Sequence, residues 1–88
     1  MSREEIELFL ESVAGEKSES VFLADGFDDA FLGLDFSDGD NPFAVYSIEK
    51  CIDILAKDMP EAEAWEYFDY NVLSANIGAG TPKFIHTI

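Results

Sequence analysis

The sequence predicts a small α+β fold, and three observations lead to this class. Apolar residues recur every three or four positions in three segments, which is typical of amphipathic helices. Other segments are short apolar or alternating runs bounded by turn-forming residues, which is typical of strands. Strands and helices are segregated along the chain, in the order α-βββ-αα-β. With 88 residues, we expect residues 1–88 to form a single compact acidic domain, an antiparallel meander with helices packed on one face.

The first helix is predicted over residues 3–14, with Gly15 as its stop. Glutamates occupy the positions between its apolar residues, and the early ones suit the positive end of a helix. The apolar positions follow the spacing i, i+3, i+4, i+7 and are Ile6, Phe9, Leu10 and Val13.

The meander is predicted to contain strands at residues 20–24, 30–36 and 43–46. The first ends at the turn dipeptide Asp25-Gly26, and residues 37–42 carry the strongest turn signal of the chain. The second strand alternates, so four of its residues should point to one face: Ala30, Leu32, Leu34 and Phe36.

The second half of the chain predicts two helices and a last strand. Ser47 caps a helix over residues 48–58, and Asp58 and Pro60 open the next one. Glycines at 78–80 end that helix, and residues 81–88 form a strand. The expected buried face of the third helix consists of Trp65, Phe68, Val72 and Ala75.

Composition indicates a folded domain with a strongly negative surface. Nineteen acidic and five basic residues give a net charge of −14, yet 48% of the residues are hydrophobic and 14% aromatic, which a disordered acidic tail lacks. Such a surface repels nucleic acids and anionic membranes, so we expect neither as a direct ligand. The acidic start of the chain is unlike a secretory signal, and no apolar run is long enough to cross a membrane. We therefore expect a cytoplasmic protein.

Catalytic patterns are weak. His86 is the single histidine, and we interpret it as a structural or surface residue. Cys51 has no partner for an internal disulfide and lies on the apolar side of the second helix, where we expect it in the core. The sequence thus favours a protein that is not an enzyme and has no catalytic residue, no metal and no cofactor.

The aspartate-rich turns raise the question of calcium. Asp38, Asp40 and Glu49 have the separations of EF-hand positions one, three and twelve, but Phe43 stands where that loop needs glycine. A looser cation site stays open as an alternative, formed by Asp25, Asp28 and Asp29.

The negative charge is distributed unevenly. No Lys or Arg lies between Lys17 and Lys50, a stretch with eight acidic residues. Carboxylates repeated at about one helical turn, ~5.4 Å, have a spacing comparable to that of backbone phosphates. The first predicted set of partner-binding residues is Asp25, Asp28, Asp29, Asp35, Asp38 and Asp40. The second set lies on the third helix and consists of Glu63, Glu66 and Asp69, with Tyr67 and Tyr70 as an aromatic hot spot.

Four segments of the chain resemble a group of short proteins encoded by tailed bacteriophages, over about residues 25–85. They are DGFDDAFLG at 25–33, VYSIEKCI at 45–52, EYFDYNV at 66–72 and GTPKFI at 80–85. The resemblance implies a phage or prophage origin and a cytoplasmic setting in a bacterial host. It carries no catalytic residue over to this chain.

Together these observations favour a non-enzymatic phage-type inhibitor. It would bind the basic nucleic-acid-binding surface of a host protein, such as a nuclease, a CRISPR effector, a restriction enzyme or a polymerase, and its acidic face would act as a DNA or RNA mimic. The alternative is a structural or assembly module, such as a homodimer joined through exposed aromatic residues, in which the charge only confers solubility.

Overall fold

The computed structural model describes residues 1–37, 39, 41–73 and 81–88. Within these residues it contains three α-helices and one three-stranded sheet, which confirms the predicted α+β class. The helices are α1 Arg3–Ala14, α2 Ile48–Leu55 and α3 Glu61–Phe68. The strands are β1 Phe31–Asp35, β2 Phe43–Ser47 and β3 Lys83–Ile85. β2 lies in the centre, antiparallel to β1 and parallel to β3, so the sheet is mixed.

Helix α1 has the predicted bounds because both of its ends are specified locally. The Ser2 hydroxyl accepts from the backbone N–H of Glu5, and the Glu5 carboxylate accepts from the backbone N–H of Ser2, forming a capping box. Gly15 ends the helix with a φ of 58°, which favours glycine. Ile6 and Leu10 of the predicted apolar stripe are buried.

The strand predicted at residues 20–24 is wrong. Residues Gly15–Ser20 form a 3₁₀ helix, and residues 21–24 belong to no strand. Val21 is buried, and the backbone N–H of Ala24 donates to the Tyr46 hydroxyl at 2.9 Å. Side-chain packing and one side-chain acceptor therefore stabilise this apolar run without a β-ladder. The predicted antiparallel meander is therefore wrong as well. The third strand of the sheet is β3, near the C-terminal end of the chain, and it pairs with β2 in parallel.

The β1–β2 hairpin forms where it was predicted, with β1 one residue shorter at each end, β2 one residue longer, and a bulge within β1. The register shifts between Phe31 and Gly33, so Leu32 is the extra residue of a β-bulge. The bulge breaks the alternation expected for this strand: Leu32 is 44% exposed, whereas Leu34 is partly buried against the core. In the turn that follows, Ser37 donates its N–H to Asp35 and Gly39 donates its N–H to the Phe36 carbonyl.

Helices α2 and α3 begin at the predicted signals. The Ser47 hydroxyl accepts from the backbone N–H of Lys50, and Pro60 precedes the first residue of α3. α2 ends at Leu55, earlier than predicted, because residues 57 and 58 bond three positions back and tighten the last turn. After α3 the backbone forms a π-helical segment, Asp69–Leu73. Ala75 and the glycine stop predicted at 78–80 lie outside the described residues.

A connected series of aromatic rings joins the helices to one face of the sheet. Tyr46 of β2 is fully buried, and its ring lies between Phe31 of β1, at 5.6 Å, and Phe84 of β3, at 5.5 Å. Phe9 of α1 packs on Phe31, and Phe68 of α3 packs on Phe84. These edge-to-face and stacked contacts connect the core to the sheet and place α1 and α3 on the face of the sheet that carries Tyr46.

No helix within the described part of the chain is long and apolar enough to cross a membrane.

Candidate functional site

Two of the aspartates proposed as partner contacts are bound to Arg3 of α1. The Asp28 carboxylate accepts from Arg3 Nε at 3.1 and 3.3 Å, and Asp25 Oδ1 accepts from Arg3 Nη2 at 3.2 Å. The hydrogen bond to Asp28 is the main reason that the pKa of Arg3 is raised above its ordinary value. The 24–28 segment is thereby attached to the start of α1.

Two further aspartates of the first predicted set also have cationic partners. Asp29 pairs with the amino group of Met1 at 3.1 Å. Asp35 of β1 pairs with Lys83 of β3 at 2.8 Å, across the central strand, and Lys83 Nζ lies 4.5 Å from the centre of the Phe43 ring. Hydrogen bonds from Lys83 and then Ser37 lower the pKa of Asp35 to about 2. These four aspartates therefore connect elements of the fold, and an external cation would have to compete with internal ones.

The structure describes neither Asp38 nor Asp40, so those two predicted contacts lie outside the described residues.

The outer face of α3 carries the second predicted set. Ala64 and Phe68 point into the core, so the positions on the other side of the helix, Glu63 and Glu66, point outward and are exposed. Tyr67 is 45% exposed and Tyr70, in the π-helical segment, 84%. Asp69, at the start of that segment, is exposed as well. No ion pair within the described chain involves Glu63, Glu66 or Asp69.

A second acidic stripe lies on α1, and the predicted site residues do not include it. Glu4, Glu7 and Glu11 follow the spacing i, i+3, i+7 outside the buried stripe of Ile6 and Leu10, and all three are exposed. The signal was present in the sequence, because the periodicity that defines the apolar face of a helix also defines its polar face. No ion pair among the residues with described positions involves these three glutamates.

Glu49 forms a further contact that the sequence does not predict. Its carboxylate lies 2.7 Å from His86 Nδ1 and accepts the backbone N–H of Thr87 at 2.6 Å. These hydrogen bonds lower the pKa of Glu49 to about 2, and the His86 contact is the larger cause. The His86 ring also faces that of Trp65, with 6.5 Å between centroids. This arrangement attaches the end of the chain to the first turn of α2.

The structure places the cysteine and the looser cation site that the sequence analysis considered. Cys51 is fully buried, and desolvation raises the pKa of its thiol to about 12, so it is a thiol at neutral pH. Across the described ranges, no three His, Cys, Asp or Glu side chains are grouped to hold a metal ion, and this includes the looser site considered at residues 25–29. A cleft of about 360 Å³ beside Phe27, Val72 and Phe84 is lined mainly by apolar residues, and Asp25 is the one ionisable group among its described lining residues.

No protein-family model, no curated protein and no solved structure matches this chain.

Proposed function

We propose that this protein is a non-enzymatic inhibitor that occupies the basic nucleic-acid-binding surface of another protein, with the outer faces of α1 and α3 in place of phosphates. One observation carries the proposal: these two faces hold six exposed carboxylates that take part in no ion pair within the described chain, whereas aspartates near the sheet are paired internally. The six residues are Glu4, Glu7, Glu11, Glu63, Glu66 and Asp69.

The spacing of these groups suits a surface that binds phosphates. Successive glutamates on α1 are three and four residues apart, which at about 1.5 Å per residue separates them by roughly 5 Å along the helix axis. Lysine and arginine side chains arranged for a nucleic-acid backbone meet a comparable series of negative charges. The net charge of −14 would accelerate encounter with such a surface and make binding sensitive to salt.

Charge alone does not account for a stable complex. Exposed ion pairs contribute about 0.5 kcal/mol each, so six of them give about 3 kcal/mol, whereas a micromolar complex needs about 8 kcal/mol. Tyr67 and Tyr70 lie beside the α3 carboxylates and offer apolar area with hydroxyl groups, the composition that interface hot spots favour. The proposal therefore places the energetic centre of the contact on α3 and gives α1 a steering role.

The kind of target follows from the sequence resemblance. A phage-type inhibitor acting in a bacterial host would find its basic surface on a nuclease, a CRISPR effector, a restriction enzyme or a polymerase. The resemblance to tailed-phage proteins supports this part of the proposal, and the charge pattern supports only the basic character of the target.

The test is capture of a target from bacterial lysate by the immobilised protein, with a salt gradient, competing DNA and mass spectrometry as the readout. We expect a nucleic-acid-binding protein that is displaced by DNA. A variant with Glu63→Gln and Glu66→Gln should lose it at lower salt. The matched control is Asp53→Asn with Asp58→Asn, which changes the net charge equally on exposed positions that precede α3 in the chain and are not part of the proposed contact, and it should behave as wild type.

Equal loss in both variants would show that only total charge matters and would contradict a specific α3 contact. Capture that is insensitive to both salt and DNA would contradict mimicry.

The exposed tyrosines support a second candidate, an assembly module. In that case Tyr67 and Tyr70 would join two copies into a homodimer, and association would depend little on salt. Sedimentation equilibrium distinguishes the two: a 9.8 kDa species contradicts the homodimer, whereas a species of twice that mass that disappears in Tyr67→Ala/Tyr70→Ala supports it.

A further inference from the structure

A shallow groove of about 230 Å³ lies between α1 and residues 18–23. Its apolar lining comes from Leu10, Val21 and Leu23, of which the first two are buried and the third is partly buried. Its other large lining residues are exposed glutamates: Glu7, Glu11 and Glu19. The groove therefore combines an apolar floor with three carboxylates.

The size and chemistry of the groove limit its occupant. At about 230 Å³ it is smaller than the ~300–1,000 Å³ of ordinary small-molecule sites. The carboxylates do not converge as metal ligands among the described residues. Lys17 lies on the neighbouring 3₁₀ helix but is not among the residues that line the groove. A long cationic side chain fits these conditions, because its methylene groups can cover apolar surface while its charged head stays near the carboxylates in water.

We propose that this groove binds a lysine or arginine side chain presented by an amphipathic segment of a basic partner protein. The groove is complementary in charge to a basic side chain through its own three glutamates, and the whole chain, with a net charge of −14, also attracts a basic partner. This inference deepens the proposed function and rests on it for the basic character of the partner. Glu7 and Glu11 belong to the α1 face described there, and the groove adds Glu19, an apolar floor and the side chain that fills the site, without depending on the α3 contact.

The test uses a helical peptide of about fourteen residues made of alanine, leucine and lysine, with leucine and lysine on one face. It is titrated into the ¹⁵N-labelled full chain at about 150 mM NaCl, where exposed charges more than ~8 Å apart are largely screened. We expect chemical-shift changes concentrated at residues 7–11 and 18–23. The variant Glu7→Gln/Glu11→Gln/Glu19→Gln should bind the peptide about tenfold more weakly, because three exposed ion pairs are lost.

The matched control is Asp53→Asn/Asp58→Asn/Glu61→Gln, which removes the same number of charges from exposed positions outside the groove and outside the proposed α3 contact. It should bind the peptide with nearly wild-type affinity. Equal weakening by the two triple variants, or shift changes centred on α3, would overturn the groove as the site. The two proposals can fail separately, because target capture from lysate is tested with Glu63→Gln/Glu66→Gln on α3 and the peptide contact is tested with substitutions in the groove.

Two altered peptides test the chemistry of the occupant. Replacing each lysine by 2,4-diaminobutyrate keeps the charge but removes half of the methylene stem, so binding should weaken if the apolar floor takes part. A scrambled isomer keeps composition and charge but loses the one-sided arrangement and should weaken too. Unchanged affinity of either peptide would show attraction by net charge alone and would overturn the proposal.

Discussion

At the scale of single residues, Arg3 explains why an aspartate can look like a binding residue in sequence and act as a structural one. It lies at the start of α1 and is bonded to both Asp25 and Asp28, more than twenty positions away along the chain. Composition and local charge density cannot reveal such a contact, because it depends on how the 24–28 segment returns to α1. The sequence showed where acidic residues are dense, but not which of them are neutralised.

The first prediction compares two neighbouring aspartates. Asp28→Asn should lower the free energy of unfolding by about 1 kcal/mol, since Asp28 is only 28% exposed and forms two hydrogen bonds with Arg3. Asp29→Asn is the matched control: Asp29 is 74% exposed and pairs with the chain terminus, so the loss should be about 0.3 kcal/mol or less. Urea unfolding measures both. Equal losses in the two variants would contradict a specific role for the Arg3 contact.

The second prediction concerns pH and Glu49. Its pKa is lowered from 4.5 to about 2 in the folded protein, so its contribution to stability is fully present above pH 4.5 and is lost as the pH falls through 2. The wild type should therefore be more stable than Glu49→Gln at neutral pH. This difference should shrink between pH 4.5 and 2. The comparison with the variant is essential, because protonation of other carboxylates changes the stability of both proteins.

Urea midpoints measured for the wild type and Glu49→Gln at a series of pH values provide the test. A difference in stability that stays constant across this range would contradict the assignment of Glu49 as the titrating group.

At the scale of elements, Ser47 connects three parts of the fold. Its hydroxyl caps α2 by accepting the N–H of Lys50, and it is also hydrogen-bonded to the Thr87 hydroxyl after β3. Ser47 is fully buried, so loss of this hydroxyl leaves a helix N–H and the Thr87 hydroxyl without that partner. The cap was predictable from sequence as a local signal. The bond to Thr87 was not, because it depends on a strand forty residues away.

The third prediction follows from this double role. Ser47→Ala should cost about 2 kcal/mol of unfolding free energy, about 1 for the cap and about 1 for the buried hydrogen bond. Ser2→Ala is the control at the exposed cap of α1 and should cost about 1 kcal/mol. A double-mutant cycle of Ser47→Ala with Thr87→Ala isolates the contribution of the hydrogen bond between these two hydroxyl groups. A coupling energy near zero between Ser47 and Thr87 would contradict the proposed link between α2 and the end of the chain.

The helices and strands show which sequence signals are sufficient to predict an element and which are not. Helix α1 was predicted with the observed bounds because its apolar period, cap and glycine stop are all local. The apolar run at 20–24 was assigned to a strand because a short apolar run without periodicity does not identify its partner, and in the fold its partner is a side chain, Tyr46. The parallel pairing of β2 with β3 joins residues about forty positions apart and has no local signature.

At the scale of the whole molecule, the sequence predicts the acidic and aromatic chemistry of the candidate site, but only in part which elements carry it. Net charge and helical periodicity are properties of the sequence, and they indicated the α3 face with its tyrosines. The acidic stripe of α1 follows from the same helical periodicity. The predicted site does not include it, because the density of acidic residues favours the segment between Lys17 and Lys50. In the fold, the described aspartates of that segment named as contacts have internal partners, whereas the exposed glutamates named on α1 and α3 form no ion pair among the described residues.

The last prediction concerns the effect of salt on the whole fold, where two effects oppose each other. Added salt weakens the ion pairs of Arg3 and Lys83, and it also weakens the mutual repulsion of a chain with net charge −14. The ion pairs join atoms 2.8–3.2 Å apart, within the ~10 Å Debye length at 0.1 M salt, whereas repulsion between separate helix faces acts over longer distances and is screened first. Screening of repulsion should therefore dominate, and Tm should rise as NaCl is added.

A charge-reduced variant tests whether repulsion is the cause. Neutralising the six exposed carboxylates of α1 and α3 with Gln or Asn lowers the net charge from −14 to −8 and leaves the internal ion pairs in place. Its Tm in low salt should be higher than that of the wild type, and its rise with NaCl should be smaller. Thermal unfolding followed by circular dichroism measures both curves. A wild-type Tm that falls with NaCl would mean that the ion pairs outweigh the repulsion. An equal rise in the two proteins would assign the effect to ion exclusion from the surface, because screening has less repulsion to relieve in the variant.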